Sequence, residues 1–285
     1  MTRVSLPSQL NTGIMYEEAR DLVVSACLRI LNASYRNLTK GEIDSFRGAI
    51  IAQRDSILFR FDALGFHVEE LNSKLQQFEA SASIPDPRRA LLHSAGNTAL
   101  MLLDDLVFNA ASMFDYWAGL VACSFVGLRK RATKWNSLVN TVRGAIPKNA
   151  GPSEYFLRDS STAIRSDQLH RDWVDALFSY RSSVIHFAAQ KPNAAVVRYL
   201  TGERSPELKV HVPPGMVRKL GFLGEVGSQP ELPILQGASH LYFACFQALT
   251  DLSLSFSSDV DDHFGRYDPF EELLTIQGKG PERTV

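Results

Sequence analysis

The chain has little cysteine: three residues in 285, Cys27, Cys123 and Cys245, far apart and each inside an apolar stretch. That pattern excludes a disulfide framework and a paired-thiol metal site, and it fits a reducing compartment. Buried small hydrophobes are the role such cysteines take. The chain also lacks an excess of one charge. Thirty Lys and Arg stand against 31 Asp and Glu, a net charge of -1. No global field draws it to nucleic acid or to a membrane surface, so such contact needs a local patch. Residues 1–13 are polar, so no secretion signal is expected there and the expected location is cytoplasmic. There is no phosphate loop, nucleophile elbow or dinucleotide fingerprint, and no internal repeat. No cofactor is expected. Asp259, Asp261, Asp262 and His263 form one cluster of candidate ligands, but no second cluster completes a site, so no metal is expected.

Long apolar runs are scarce too. One, Leu106 to Leu128, is long enough to cross a bilayer. It contains Asn109 and Asp115, and a central Asp costs about 2.5–3.5 kcal/mol on insertion. A helix buried among other helices is the better expectation, with no membrane partner.

What is present is helical periodicity. The hydrophobic content of 45% is that of a globular protein with a sizeable core. Apolar residues at steps of three and four predict a first helix over Thr12–Tyr35 and a long second one over about 40–79, with Gly65 as a place for a kink. Thr39 and Glu42 have capping-box spacing ahead of it. Asp86 and Pro87 are suited to start a third helix that runs to about Val126. A short link between two long helices predicts an antiparallel pair. A shorter helix is expected at about Lys134–Ala145, a loop at Pro147–Pro152, a helix at about Asp167–Ala189 and a last one at about Ala238–Ser257. Between these, residues 195–212 alternate in the manner of a β-hairpin, and 213–237 read as loop with one short helix. The expected class is therefore mainly all-α, a long-helix bundle. Residues 1–265 form one domain with a hairpin insertion at about 193–230, and 266–285 a polar tail.

The chemistry-bearing stretch is Tyr180-Arg181-Ser182-Ser183-Val184-Ile185-His186-Phe187, late in an amphipathic helix that Pro192 helps to end. A long helix containing Phe108-Asn109-Ala110-Ala111-Ser112-Met113-Phe114-Asp115-Tyr116-Trp117 precedes it. The Arg181–His186 spacing in this setting, over roughly residues 88–190, resembles the HEPN superfamily. The resemblance implies an all-helical fold, a homodimer, and metal-independent cleavage of RNA. In it Arg181 would hold the scissile phosphate and His186 would act as general acid or base on the 2′-hydroxyl or the leaving oxygen. The products would be a 2′,3′-cyclic phosphate and a 5′-hydroxyl. A toxin or defence role, and a protein partner such as an antitoxin, come with the same resemblance. Active members commonly carry Asn, His or Asp after the Arg, where this chain has Ser182.

Helix geometry agrees with a dimer. Five positions along a helix are about 7.5 Å of rise and about 140° of rotation. Arg181 and His186 therefore leave opposite sides of one helix, and a two-fold axis is needed to gather such groups. Asn109 and Asp115, polar on an apolar helix, each need a partner or a solvated cleft. Asp115 either caps a neighbouring helix or pairs with an Arg, or it lines a cleft with His186. Arg129, Lys130, Arg131 and Lys134 could contact RNA phosphates, or serve as a solvated basic helix end. A non-catalytic helical module that binds a protein or a nucleotide is the alternative reading.

Overall fold

The computed structural model describes residues 11–34, 40–82, 89–144, 150–187, 197–200, 207–211 and 232–265. The elements in order are α1 (Thr12–Ser34), α2 (Lys40–Ala82), α3 (Arg89–Val126), α4 (Trp135–Arg143), α5 (Pro152–Asp159), α6 (Ser161–Leu169), α7 (Asp175–Phe187), β1 (Val197–Leu200), β2 (Glu207–Val210) and α8 (Ile234–Phe264). A 3₁₀ turn at Leu128–Lys130 follows α3, and a π turn at His170–Val174 joins α6 to α7. The protein is mostly helical.

α2 and α3 form the spine. Gln53 of α2 meets the α3 C-terminal region near Gly119, while Arg60 reaches Asn109, so the two helices run antiparallel. From Ala110 to Phe125, α3 is buried on every side except at Asp115 and Tyr116. A helix apolar all round belongs in the middle of a bundle. Its Ser94–Val126 stretch has the length and mean hydropathy of a membrane span, 1.3 over the best window, yet that window is 83% buried within the protein. Trp117 and Phe114 anchor it. Trp117 meets Phe256 of α8 edge-on at 5.9 Å, and Phe114 meets Trp135 at 4.9 Å. Each fully buried large side chain contributes about 1.5–3 kcal/mol.

α8 closes the bundle against α1, α2, α3 and α6. Tyr242 stacks on Phe61 at 5.0 Å, and its hydroxyl donates to the Thr12 carbonyl at 3.0 Å. α2 is one helix through Gly65. A Cβ there would lie 3.6 Å from the Tyr242 ring, an ordinary contact that packing tolerates. Gly119 is tighter. A Cβ there would lie 2.6 Å from the Arg131 carbonyl oxygen, which also accepts from Gln53 Nε2 at 2.8 Å. The 3₁₀ turn can lie on α3 only because position 119 has no side chain.

Several expected boundaries change. The loop expected to reach Pro152 ends at Gly151, because Pro152 opens α5 and Glu154 turns back to accept from the Gly151 N–H at 3.0 Å. The helix expected to begin at Asp167 begins at Ser161. Ser160 caps it by accepting from the Ala163 N–H at 3.1 Å. Asp259 of α8 adds a second cap, accepting from the N–H groups of Ser161 and Thr162 at 2.9 and 2.7 Å. α8 extends from residue 234 to 264, beyond the expected 238–257, because Val260 is buried and Phe264 packs against Phe125. Val197–Leu200 pairs antiparallel with Glu207–Val210, in register from Val197 opposite Val210 to Leu200 opposite Glu207. The Thr39 and Asp86 caps, the turn at 201–206, nearly all of the loop with its short helix at 213–237, and the tail at 266–285 lie outside the described residues.

Cys27, Cys123 and Cys245 are buried and unpaired. Burial pushes the Cys27 thiol up to about 12 and the Cys123 thiol up to about 11.

Candidate functional site

Arg181 lies on α7 where that helix crosses α3. Its guanidinium carbon is 5.0 Å from the centre of the Phe108 ring. Its NH1 is 3.5 Å from Asp115 Oδ2, a long contact, and its Nε is buried without a hydrogen-bond partner. The side chain is 24% exposed. Arg181 is therefore held mainly by an aromatic face, with most of its donor capacity unused.

Asp115 has several duties. Its Oδ1 accepts from the backbone N–H of Trp135 at 3.1 Å, so it caps α4 from another helix. Its Oδ2 lies 3.5 Å from both Arg181 and Lys134. Lys134, the N-cap residue of α4, makes no side-chain cap bond of its own. Capping a neighbouring helix and pairing with an Arg both occur at this one carboxylate. Asn109 points to a different partner. Its Oδ1 accepts from Arg60 NH1 at 2.8 Å, and its Nδ2 donates to the Asp105 carbonyl at 2.8 Å. Asn109 and Asp115 thus serve two different arginines. Ser182 is exposed. His186 lies in the last turn of α7, and its side chain is outside the described residues.

Sequence reasoning missed three neighbours. Arg60 of α2 places its guanidinium carbon 5.5 Å from the same Phe108 ring and 5.5 Å from Phe59, and its Nε too is buried and unpartnered. Tyr180 donates to Asp104 Oδ1 at 2.6 Å and ties α7 to α3 one position before Arg181. Burial raises the Asp104 carboxyl, the Tyr180 hydrogen bond opposes this, and Asp105 adds to the rise. His170, first residue of the π turn, accepts at Nδ1 from Trp135 Nε1 at 3.3 Å. Burial lowers its pKa, against a smaller opposing effect of Asp175. Phe108 beside Asn109 and Tyr180 beside Arg181 stand in the stretches already quoted, but nothing in the chain order links position 60 to 181.

The basic run divides. Arg129 pairs with Glu154 of α5 at 2.8 Å, Lys134 faces Asp115, and Lys130 and Arg131 are exposed on the 3₁₀ turn and the residue after it. In the acidic cluster, Asp259 is used as the α6 cap and Asp261 pairs with Arg29 at 2.6 Å.

Comparison with family models, curated proteins and solved structures gave no significant match. Two half-buried guanidiniums share one aromatic ring at the junction of α2, α3 and α7. Such a group can bind an anion. It carries no nucleophile of its own.

Proposed function

We propose that this chain is a metal-independent endoribonuclease of the HEPN type, with Arg181 holding the phosphate and His186 exchanging the proton. The proposal takes the helices as a HEPN-like bundle and the strand pair as an insertion in it. The observation that carries it is the state of Arg181. A guanidinium kept at the protein edge by Phe108, with a buried unpartnered Nε and one long contact, costs stability that an anionic ligand restores. The angular offset of residues 181 and 186 makes the working unit a homodimer, in which two copies of α7 contribute to one cleft. A cytoplasmic toxin or defence effector, held in check by a protein partner, is the setting that accompanies this reading.

The second reading is a non-catalytic helical module that binds a protein or a nucleotide. The Asp115 contact favours it, since this carboxylate binds Arg181 while capping α4, and such a residue can serve architecture alone.

One experiment separates the two. Purified protein is incubated with RNA in the presence of chelator, and the fragment ends are mapped. Arg181→Ala and His186→Ala should each reduce cleavage by about 10²–10⁴-fold, with helical circular dichroism and dimeric sedimentation unchanged. Fragments should end in a cyclic phosphate. If the wild type cuts no RNA and His186→Ala unfolds the protein, the pair is structural and the module reading stands.

A further inference from the structure

The exposed apolar residues of the spine are regularly placed. Phe59 and Phe66 lie seven apart on α2, and Met101 and Phe108 seven apart on α3. Seven residues are close to two helical turns, so each pair marks one stripe. Phe59 is 64% exposed and Phe108 39%. Between these two rings lies Arg60, within cation–π distance of both, and Arg181 faces the Phe108 ring from α7. The two guanidinium carbons are at most about 10.5 Å apart, the sum of their distances to that shared ring centre.

Like charges this close repel, and each guanidinium has a buried Nε with no acceptor. The two carboxylates beside them on α3 are shared with other partners, and the one contact either makes to these cations is the long 3.5 Å approach of Asp115 to Arg181. Asp104 accepts from Tyr180, and Asp115 caps α4 and faces Lys134. The missing component is an anion with a flat apolar group attached. A second copy laid directly over Phe59 and Phe108 would bury Arg60 with its Nε still unpaired, so the dimer of the nuclease reading leaves this stripe open.

Resting on the nuclease reading above, we infer that Arg60, Phe59 and Phe108 form with Arg181 a binding subsite for single-stranded RNA. Arg60 and Arg181 take backbone phosphate oxygens, and a base stacks on the open face of Phe59. Aromatic stacking with flanking cations is the general means of holding single strands without sequence readout. The reading assigns α2 a part in substrate binding, which the Arg181–His186 motif does not.

The test uses the full-length chain carrying His186→Ala, so that any cleavage does not consume the probe, and a short fluorescein-labelled single-stranded RNA read by anisotropy. Arg60→Ala should weaken binding by about tenfold or more, and should lower the slope of log affinity against log salt by about 0.7, one phosphate contact on a single strand. Arg60→Lys should retain most of the salt slope. Phe59→Ala should weaken binding on the order of tenfold with the slope unchanged. Phe59 is exposed, so this variant keeps the proposal testable should Arg60→Ala fail to fold. The inference is overturned if Phe59→Ala and Arg60→Lys bind within twofold of the parent, or if the parent does not bind the RNA. It is also overturned if Phe59→Ala converts a dimer to a monomer with RNA affinity intact, which would give the stripe to a second copy. RNA binding that depends on Arg60, in a protein that cuts nothing, would sustain the subsite and remove the nuclease. Cleavage by the wild type, with no effect of Arg60→Ala on binding or rate, would do the reverse.

Discussion

Replacing Asp115 with Ala removes two interactions at once, and their sizes can be worked out. The first is the cap on α4, where Oδ1 accepts from the Trp135 N–H at 3.1 Å. Loss of a side-chain cap costs about 1 kcal/mol, within a range of 0.5–2. The second is the charge beside Arg181, whose Nε already has no partner. Leaving a half-buried cation with one fewer acceptor costs about 1–3 kcal/mol. The Lys134 contact adds little, because that side chain is 67% exposed. The total is about 2–4 kcal/mol, a fall in Tm of about 3–7 °C for a chain of this size. Asp115→Asn should cost about half as much, because an amide oxygen can still accept from Trp135. Urea unfolding followed by circular dichroism measures both variants. A double-mutant cycle with Arg181→Ala should give a coupling of at least about 0.5 kcal/mol. If Asp115→Ala costs under about 0.5 kcal/mol, Asp115 neither caps α4 nor holds Arg181; if Asn and Ala cost the same, the cap contributes nothing.

Two further outcomes are expected. His170 has a pKa below the ordinary 6.5, chiefly through burial, and its Nδ1 lone pair is engaged by Trp135. The unfolded chain therefore takes up the proton first, and this contribution to stability, complete above about pH 6.5, is lost as pH falls through 6.5 toward the folded value. The urea midpoint should drop between pH 7.5 and 5.5, with a smaller drop in His170→Gln; an equal drop would place the effect on His67, His240 and His263, which shift the same way. Gly119→Ala should cost about 1–3 kcal/mol, because its Cβ would meet a backbone carbonyl at 2.6 Å. Gly48→Ala, on α2 with open space around it, should be neutral or stabilising in the same thermal melt.

Much of the helix layout was legible because α1, α2 and α3 carry long apolar series at steps of three and four. α5 and the start of α6 were not read. They are eight and nine residues long, too short for periodicity to stand out. One of the α6 caps, Asp259, lies almost a hundred positions away. Pro152 and Ser160 were the available signals, a proline suited to a first turn and a serine suited to a cap. At the site, Arg181 and Asp115 could be picked out as candidates. Arg60 could not, because it became a neighbour of Arg181 only through the α2–α3 crossing. The sequence text around Arg60 is that of any amphipathic helix.

The π turn at His170–Val174 has a geometric consequence for the chain after it. One such turn accommodates an extra residue without ending the helix, and each residue of an α-helix advances the side chains by about 100°. It thus sets two phases on one rod: α6 before it is aligned to Asp259, and α7 after it to Phe108 and Asp104. Deleting a single residue within the turn would restore a continuous α-helix while disturbing the buried His170, Trp173 and Val174. It would also swing Arg181 and Tyr180 together about a quarter-turn away from α3. The turn behaves as an adjustable coupling between two rigid segments, and its length is the variable through which insertion or deletion would re-aim the whole distal half.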